Sequence, residues 1–313
     1  MRQASGPRRV VVLGGGHGVA SVLGAVRDRG FDLTVIVTVA DDGGSSGELR
    51  RRWGGPAVGD MRRSVIALAG EDGAPARAFA RRLRINRLGE HPLGNLVLHS
   101  LADAFGDLES AGAWLCGELG VGACILPATT EPISLLADTE AGRVRNESVI
   151  TRTSSRIRRL RFDPERPQVP RAGIDAIEHA EWVVLGPGSL YTSVLAVAAL
   201  PDIRHALASS PAQVLWICNL EPDQHETAGM TAADHLAALR SHGVRVDSVL
   251  YDSQAELHLE PSQLIAERVG ATACPLRSSL PGLHDRVLLA EALDHIFRGT
   301  GERVTARGCT FSV

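Results

Sequence analysis

At 313 residues and 44% hydrophobic content, the chain is long enough for one large α/β domain or two smaller ones. Its net charge of −3 gives no reason to expect bulk nucleic-acid binding, and no apolar run approaches the length of a membrane span. Arginine is present and lysine is not, which excludes a Walker-A loop and a Schiff-base pyridoxal site.

Residues 10–13 read as a continuous apolar strand, the pattern of a parallel strand buried on both faces. Gly14-Gly15-Gly16-His17-Gly18 follows, then a helix over 19–29 with Val19, Val22, Leu23 and Val26 on one face. Glycine lets backbone approach a phosphate, and a helix N-terminus supplies N–H donors and partial positive charge. The spacing is not G-x-G-x-x-G, so a mononucleotide or nucleotide sugar fits better than NAD. His17 either donates to a phosphate or faces solvent. The strand 33–39 completes a βαβ unit with an expected right-handed crossover. It runs into Thr38-Val39-Ala40-Asp41-Asp42-Gly43-Gly44-Ser45-Ser46-Gly47, read as a loop. Asp41 and Asp42 are candidates to hold Mg²⁺ bridging phosphates, or to accept hydrogen bonds from ribose or sugar hydroxyls. An Asx turn accounts well for one of the two.

Helices are predicted over 60–69, with Asp60 as N-cap, and over 74–83, 94–104 and 108–119. Asn95 either caps its helix or reads a ligand edge. From 124 to 162, prolines, threonines and alternating patterns predict an antiparallel β excursion, spanning about 121–171 with its exits. Its arginines (Arg152, Arg156, Arg158, Arg159, Arg161, Arg166) suit a charged, solvated edge strand more readily than a polyanion surface. A helix over 174–180 precedes a buried strand at 182–185, and that pattern returns at 214–218 and 246–251. Gly186-Pro187-Gly188-Ser189 ends the first of these strands and opens a helix over 190–199 containing Thr192 and Ser193. It is a second candidate phosphate cradle, with Ser189 also a suitable N-cap. Asn219 ends the next strand. Thr231 and Asp234 fit a capping box, whereas His225, Glu226, Asp234 and His235 match no zinc spacing. Helices over 232–239 and 287–297 complete the chain, and 299–313 reads as a loose tail. The five cysteines form no C-x-x-C pair, so neither a zinc site nor a disulfide framework is expected.

Together these features predict a doubly wound, mainly parallel Rossmann-like α/β sheet with an antiparallel excursion, in one domain over 8–298. Several strand-end loops in one chain point to a single composite site, because open parallel sheets bind ligands beyond their carboxyl strand ends. No G-x-S-x-G elbow and no evident nucleophile–base pair is present, which favours binding over hydrolysis. Residues 1–9 carry no signal-peptide core, so a cytoplasmic location is expected.

At these same motifs the chain resembles the YvcK family of gluconeogenesis factors, within the CofD-like superfamily, over nearly its whole length. The carriers are the loop Gly14 to Gly18, the run Val37 to Gly47, Gly59-Asp60-Met61-Arg62, Leu93-Gly94-Asn95-Leu96, the run Leu185 to Ser193, and Asn219 with Glu226-Thr227. The resemblance implies a Rossmann-like fold that binds UDP-sugars such as UDP-N-acetylglucosamine. It also implies a regulatory role in carbon metabolism, cell shape and envelope synthesis. The ligand-binding residues implied on these motifs are Gly14, Gly15, Gly16, His17, Gly18, Asp41, Asp42, Gly43, Gly44, Ser45, Ser46, Asp60, Arg62, Asn95, Gly186, Pro187, Gly188, Ser189, Thr192, Ser193 and Asn219. Mg²⁺, a homo-oligomer and a regulatory protein partner remain open. The alternative is a CofD-type enzyme transferring 2-phospho-L-lactate to a deazaflavin alcohol; the double-glycine, double-serine loop favours the YvcK branch. The chain departs from the family pattern at His17 (usually Thr), at Ala57-Val58 (usually with a second proline), at Asn146 (usually Gly) and at Gln224-His225 (usually Pro-Gly).

Overall fold

The apolar runs of the sequence become the middle of one sheet in a computed structural model describing residues 7–85, 89–260, 262–263, 269–298 and 309–312. In chain order the strands are β1 (Arg9–Gly14), β2 (Asp32–Val37), β3 (Arg82–Ile85), β4 (Gly89–Pro92), β5 (Cys124–Pro127), β6 (Ser134–Thr139), β7 (Gly142–Arg145), β8 (Ile157–Asp163), β9 (Trp182–Leu185), β10 (Gln213–Ile217), β11 (Ser248–Tyr251), β12 (Gly270–Ala273) and β13 (Thr310–Ser312). Eight of them form one sheet in the order β13-β12-β11-β10-β9-β1-β2-β5. Seven are parallel, and β13 runs antiparallel to β12.

The chain moves outward from β1 through β2 to β5, then returns to place β9 on the other side of β1. The order therefore reverses between β1 and β9, and a crevice opens beyond their carboxyl ends. Val10 to Leu13 and Val183 to Leu185 are buried, as central strands covered on both faces must be. Helices flank the sheet. Gly16–Val26, Gly59–Ala69 and Arg286–Arg298 form one group, and Arg171–His179 packs with Pro201–Ser209 in another.

Several expectations shift. Residues 44–53, read partly as loop, form the helix Gly44–Trp53. Asp60 is not an N-cap: it lies inside the helix Gly59–Ala69, whose N-cap is Val58, and its carboxylate pairs with Arg63. The helix after residue 74 stops at Ala80, and an unexpected hairpin of β3 and β4 follows. Cys124–Pro127, read as the start of the excursion, pairs with β2 and extends the parallel sheet. The excursion proper is the three-stranded sheet β7-β6-β8. Its arginines face acids: Arg143 and Arg161 share Asp138, Arg145 meets Asp163, and Arg158 reaches Glu140 at 3.5 Å. That is the charged-edge reading.

A disulfide was not expected, yet Cys274 bonds to Cys309 across 35 residues. With the β13–β12 pairing, it fastens residues 309–312 of the expected loose tail to the sheet edge; residues 299–308 lie outside the described residues. Thr231 and Asp234 form the expected capping box. No helix among the described residues is long and apolar enough to cross a membrane.

Candidate functional site

The loops after β1 and β9 meet at the switch point. Gly18 lies so close to the second loop that a Cβ there would sit 1.8 Å from the Pro187 carbonyl oxygen. Gly188, at φ +136°, is held from behind by Asn219. The Gly188 N–H donates to Asn219 Oδ1 at 2.8 Å, and Asn219 Nδ2 donates to the Gly188 carbonyl at 2.9 Å. Asn219 thus spends both ends of its amide on backbone, so its role is to fix the loop that a ligand meets.

Two cavities open on either side of this junction and share His17, Gly18, Gly188 and Ser189. The larger, about 480 Å³, runs past Asn219 and Glu221 to His284 and Arg286. Its outer wall is a loop fastened by the Gly282 N–H, which donates to Glu221 Oε1 at 3.0 Å. The smaller, about 350 Å³, is lined by Gly15, Thr38, Asp41, Asp60, Arg63, Glu147, Thr192 and Ser193 as well as the shared residues. The two lobes form one cleft over the N-terminus of the helix Gly16–Val26.

Carboxyl groups give the smaller lobe its character. Burial pushes the Asp60 carboxyl up, an effect opposed by Arg63. Burial likewise pushes Glu147 up to about 7, with Asp41, Asp42 and Asp60 adding like charge. A carboxyl that remains protonated near neutrality is a hydrogen-bond donor, and an ionised one is an acceptor. Asp41 closes an Asx turn, accepting from the Gly43 N–H at 2.8 Å, and still lines the lobe.

Asp42 differs. Its two oxygens accept from the Ser148 N–H at 2.8 Å and from Ser148 Oγ at 3.1 Å, capping the turn Glu147–Ile150. It lines neither lobe and ties the β excursion to the end of β2. Asp42 is thus committed to Ser148 while Asp41 lines the lobe, and among the described residues no group of three His, Cys, Asp or Glu is placed to hold a metal ion.

Gly15, Gly16, His17, Gly18, Asp41, Asp60, Pro187, Gly188, Ser189, Thr192, Ser193 and Asn219 are therefore brought to the cleft. Gly14, Asp42, Gly43, Gly44, Ser45, Ser46, Arg62, Asn95 and Gly186 do not line it. Three of these form a polar group with His91. Arg62 Nε donates to Asn95 Oδ1 at 2.8 Å, Asn95 Nδ2 donates to Ser45 Oγ at 2.9 Å, and Ser45 Oγ lies 2.9 Å from His91 Nδ1. This hydroxyl–imidazole pair has no sequence signature, and His91 is buried. Thr38, Arg63, Glu147, Glu221, His284 and Arg286 are cleft residues that sequence reasoning did not assign. Glu147 follows a departure from the family pattern, Asn146, which takes φ +81° in place of the usual glycine.

Thr192 reaches the cleft from a widened turn. Leu190–Val194 is a π-helix that passes into the α-helix Leu195–Ala198. Its Ser193 and Val194 N–H groups both donate to the Ser189 carbonyl, at 3.1 Å each.

A family model described as 2-phospho-L-lactate transferase CofD matches residues 10–270. The chain belongs to the CofD family. Curated relatives within the family include gluconeogenesis factors. It is 37% identical to the gluconeogenesis factor of Bacillus subtilis over 251 residues, covering 79% of each chain. It is 39% identical to a relative from Nostoc sp. over 236 residues, covering 75% of this chain and 52% of that one, so it spans about half that relative's length. A crystal structure of a UPF0052 family member from Bacillus halodurans superposes with TM-score 0.87 at 32% identity, covering 93% of this chain and 99% of the other. The fold and family expected from the motifs therefore stand.

Proposed function

We propose that the protein binds a UDP-linked sugar across the cleft and acts as a regulator of carbon metabolism and cell-envelope synthesis. One observation carries the reading: two lobes of different chemistry meet over paired glycine loops. The junction offers backbone N–H groups at a helix N-terminus, suited to a diphosphate. The smaller lobe offers Asp41, Asp60 and Glu147, which repel a further phosphate and suit the hydroxyls of a sugar. The larger lobe has room for a nucleoside. The names of the relatives support the regulatory part.

A rival reading has the family model's description behind it: transfer of 2-phospho-L-lactate to a deazaflavin alcohol. Phosphoryl-type transfer needs positioning and charge stabilisation more than a protein nucleophile, so the same cleft could serve it. Calorimetry with UDP-N-acetylglucosamine, UDP-glucose, GDP, NAD and a deazaflavin separates the two. The expected result is binding of the UDP-sugars and no turnover of activated phospholactate with Mg²⁺. Repeated turnover would overturn the regulator reading.

The two aspartates provide a sharper test. A charge-assisted hydrogen bond is worth about 1.5–3 kcal/mol, so Asp41→Asn is expected to weaken UDP-sugar binding about tenfold or more. Asp42→Ala is expected to act on stability instead, at about 1 kcal/mol for a lost cap. Calorimetry and urea unfolding on both variants check this. Equal losses of affinity would place Asp42 in the ligand site.

A further inference from the structure

The smaller lobe is joined by hydrogen bonds to a second buried carboxyl. Glu147 faces the cleft, and Thr151 Oγ1 lies 2.9 Å from its Oε1. That hydroxyl is 3.4 Å from Thr192 Oγ1, which is 3.2 Å from Glu226 Oε2. Glu226 is 2% exposed, and its other oxygen accepts from the Tyr191 N–H at 3.2 Å. Beyond Glu226 lies a separate pocket of about 100 Å³, lined also by Arg156, His225 and Asp234. Two carboxyls are thus bridged by two hydroxyls; Thr151 Oγ1 also lies 3.0 Å from the Glu147 carbonyl oxygen, and its one proton turns from that oxygen to Thr192 when the relay runs.

We propose that Glu147 and Glu226 hold one proton between them, exchanged through Thr151 and Thr192, and that a ligand in the cleft draws this proton onto Glu147. Three transfers balance the step. The Glu147 proton moves to Thr151 Oγ1, the Thr151 proton to Thr192 Oγ1, and the Thr192 proton to Glu226 Oε2. The reverse sequence returns it, with no exchange with solvent and no net change in charge.

The surroundings favour one shared proton over none or two. Asp41 and Asp42 from the end of β2 and Asp60 from the helix Gly59–Ala69 place negative charge around Glu147; Arg63 and His17 share the lobe with it. Asp223 places like charge near Glu226, and Glu147 itself does the same. Burial pushes Glu226 up to about 8 and Glu147 to about 7. Where two carboxyls share one proton, the two steps belong to both groups together. A diphosphate adds negative charge beside Glu147 and so favours its neutral form. Glu147 then donates to the ligand while Glu226, accepting from Tyr191 and Thr192, carries the charge.

The proton sharing is testable without ligand; the effect of ligand rests on the nucleotide-sugar reading above. Infrared titration of the free protein is expected to show a protonated carboxyl at neutral pH that disappears in the double variant Glu147→Gln/Glu226→Gln. In Glu226→Gln the upper step near pH 8 is expected to be lost, leaving a single Glu147 step about one pH unit lower, because the last proton no longer leaves against a charged partner. Thr192→Val removes the donor to the Glu226 carboxylate, traps the proton there and is expected to move the upper step up, whereas Thr192→Ser restores it. An upper step that Glu226→Gln leaves near pH 8 would overturn the proposal, as would two ionised carboxylates at neutral pH.

Calorimetry with UDP-N-acetylglucosamine supplies the second arm. Above the upper step, near pH 8, binding must take a proton from solvent, so affinity is expected to fall by up to about tenfold per pH unit. Glu147→Gln removes that slope. A wild-type protein that binds with no such slope counts against the ligand's pull on the proton. Failure to bind at all overturns the nucleotide-sugar reading, and the infrared arm still decides the sharing.

Discussion

Gly18→Ala is expected to abolish detectable UDP-sugar binding while leaving a folded protein. The added methyl would meet the Pro187 carbonyl oxygen at 1.8 Å, far inside contact distance, and the Gly188 nitrogen at 3.0 Å. The neighbouring loop cannot simply swing aside, because Asn219 grips the Gly188 backbone from both sides. The two loops must part, and the N–H groups lose the spacing that a diphosphate requires. Such overpacking costs about 1–3 kcal/mol of stability, a shift of several degrees in melting temperature. A binding loss of about a hundredfold or more corresponds to roughly 2.7 kcal/mol. Gly117→Ala is the control: it lies in the helix Leu108–Glu118 with nothing near its added Cβ, and should be neutral or slightly stabilising. Calorimetry and thermal unfolding on both variants give the comparison. Wild-type affinity in Gly18→Ala would mean that the ligand sits elsewhere.

The second large effect is on the pH dependence of stability. Burial raises Glu226 from an ordinary 4.5 to about 8, so between these values the native state holds a proton that the unfolded chain has released. Its contribution is fully favourable below about pH 4.5 and is lost as pH rises toward 8. The slope is at most about 1.4 kcal/mol per pH unit for one proton. Glu226→Gln mimics the neutral acid and should flatten the decline, leaving the variant more stable than wild type near pH 8 and no more stable near pH 5. Urea unfolding midpoints across that range provide the check. Parallel curves for the two proteins would place the titrating proton on another group.

Much of this arrangement can be read from the chain, and what is missed has physical reasons. A strand buried on both faces shows as an unbroken apolar run, and a glycine at its end marks where it stops; β1 and β9 were visible for that reason. Strand order then places their loops side by side. The helix Gly44–Trp53 was not visible, because Gly44, Ser45, Ser46 and Gly47 are poor helix formers. It forms where the chain packs, with Leu49 buried and Gly47 pressed against the Asp42 backbone. β12, made of Gly-Ala-Thr-Ala, lacks the bulk that marks a strand, and its partner β13 lies past the stretch 299–308. Asp42 and Asn219 are polar residues at strand ends, so they look like ligand contacts, yet their oxygens hold backbone. Glu147 and Glu226 come from distant segments and stand in no motif with each other. Only the fold puts two hydroxyls between them.

The π-turn at Leu190–Val194 makes the length of this segment matter more than its composition. Such a bulge amounts to one extra residue inserted in an α-helix. Removing any one residue between 190 and 194 would tighten the turn to regular winding and shift the residues within it by one place relative to Ser189 and Leu195. Thr192 would leave Glu226, and the Pro187-Gly188 backbone next to Ser189 would be pulled off Gly18. Side-chain changes in this stretch can be compensated by repacking, but a register error cannot. Single-residue deletions here are therefore the changes least tolerated by natural drift or by an engineer, even where every remaining side chain is preserved.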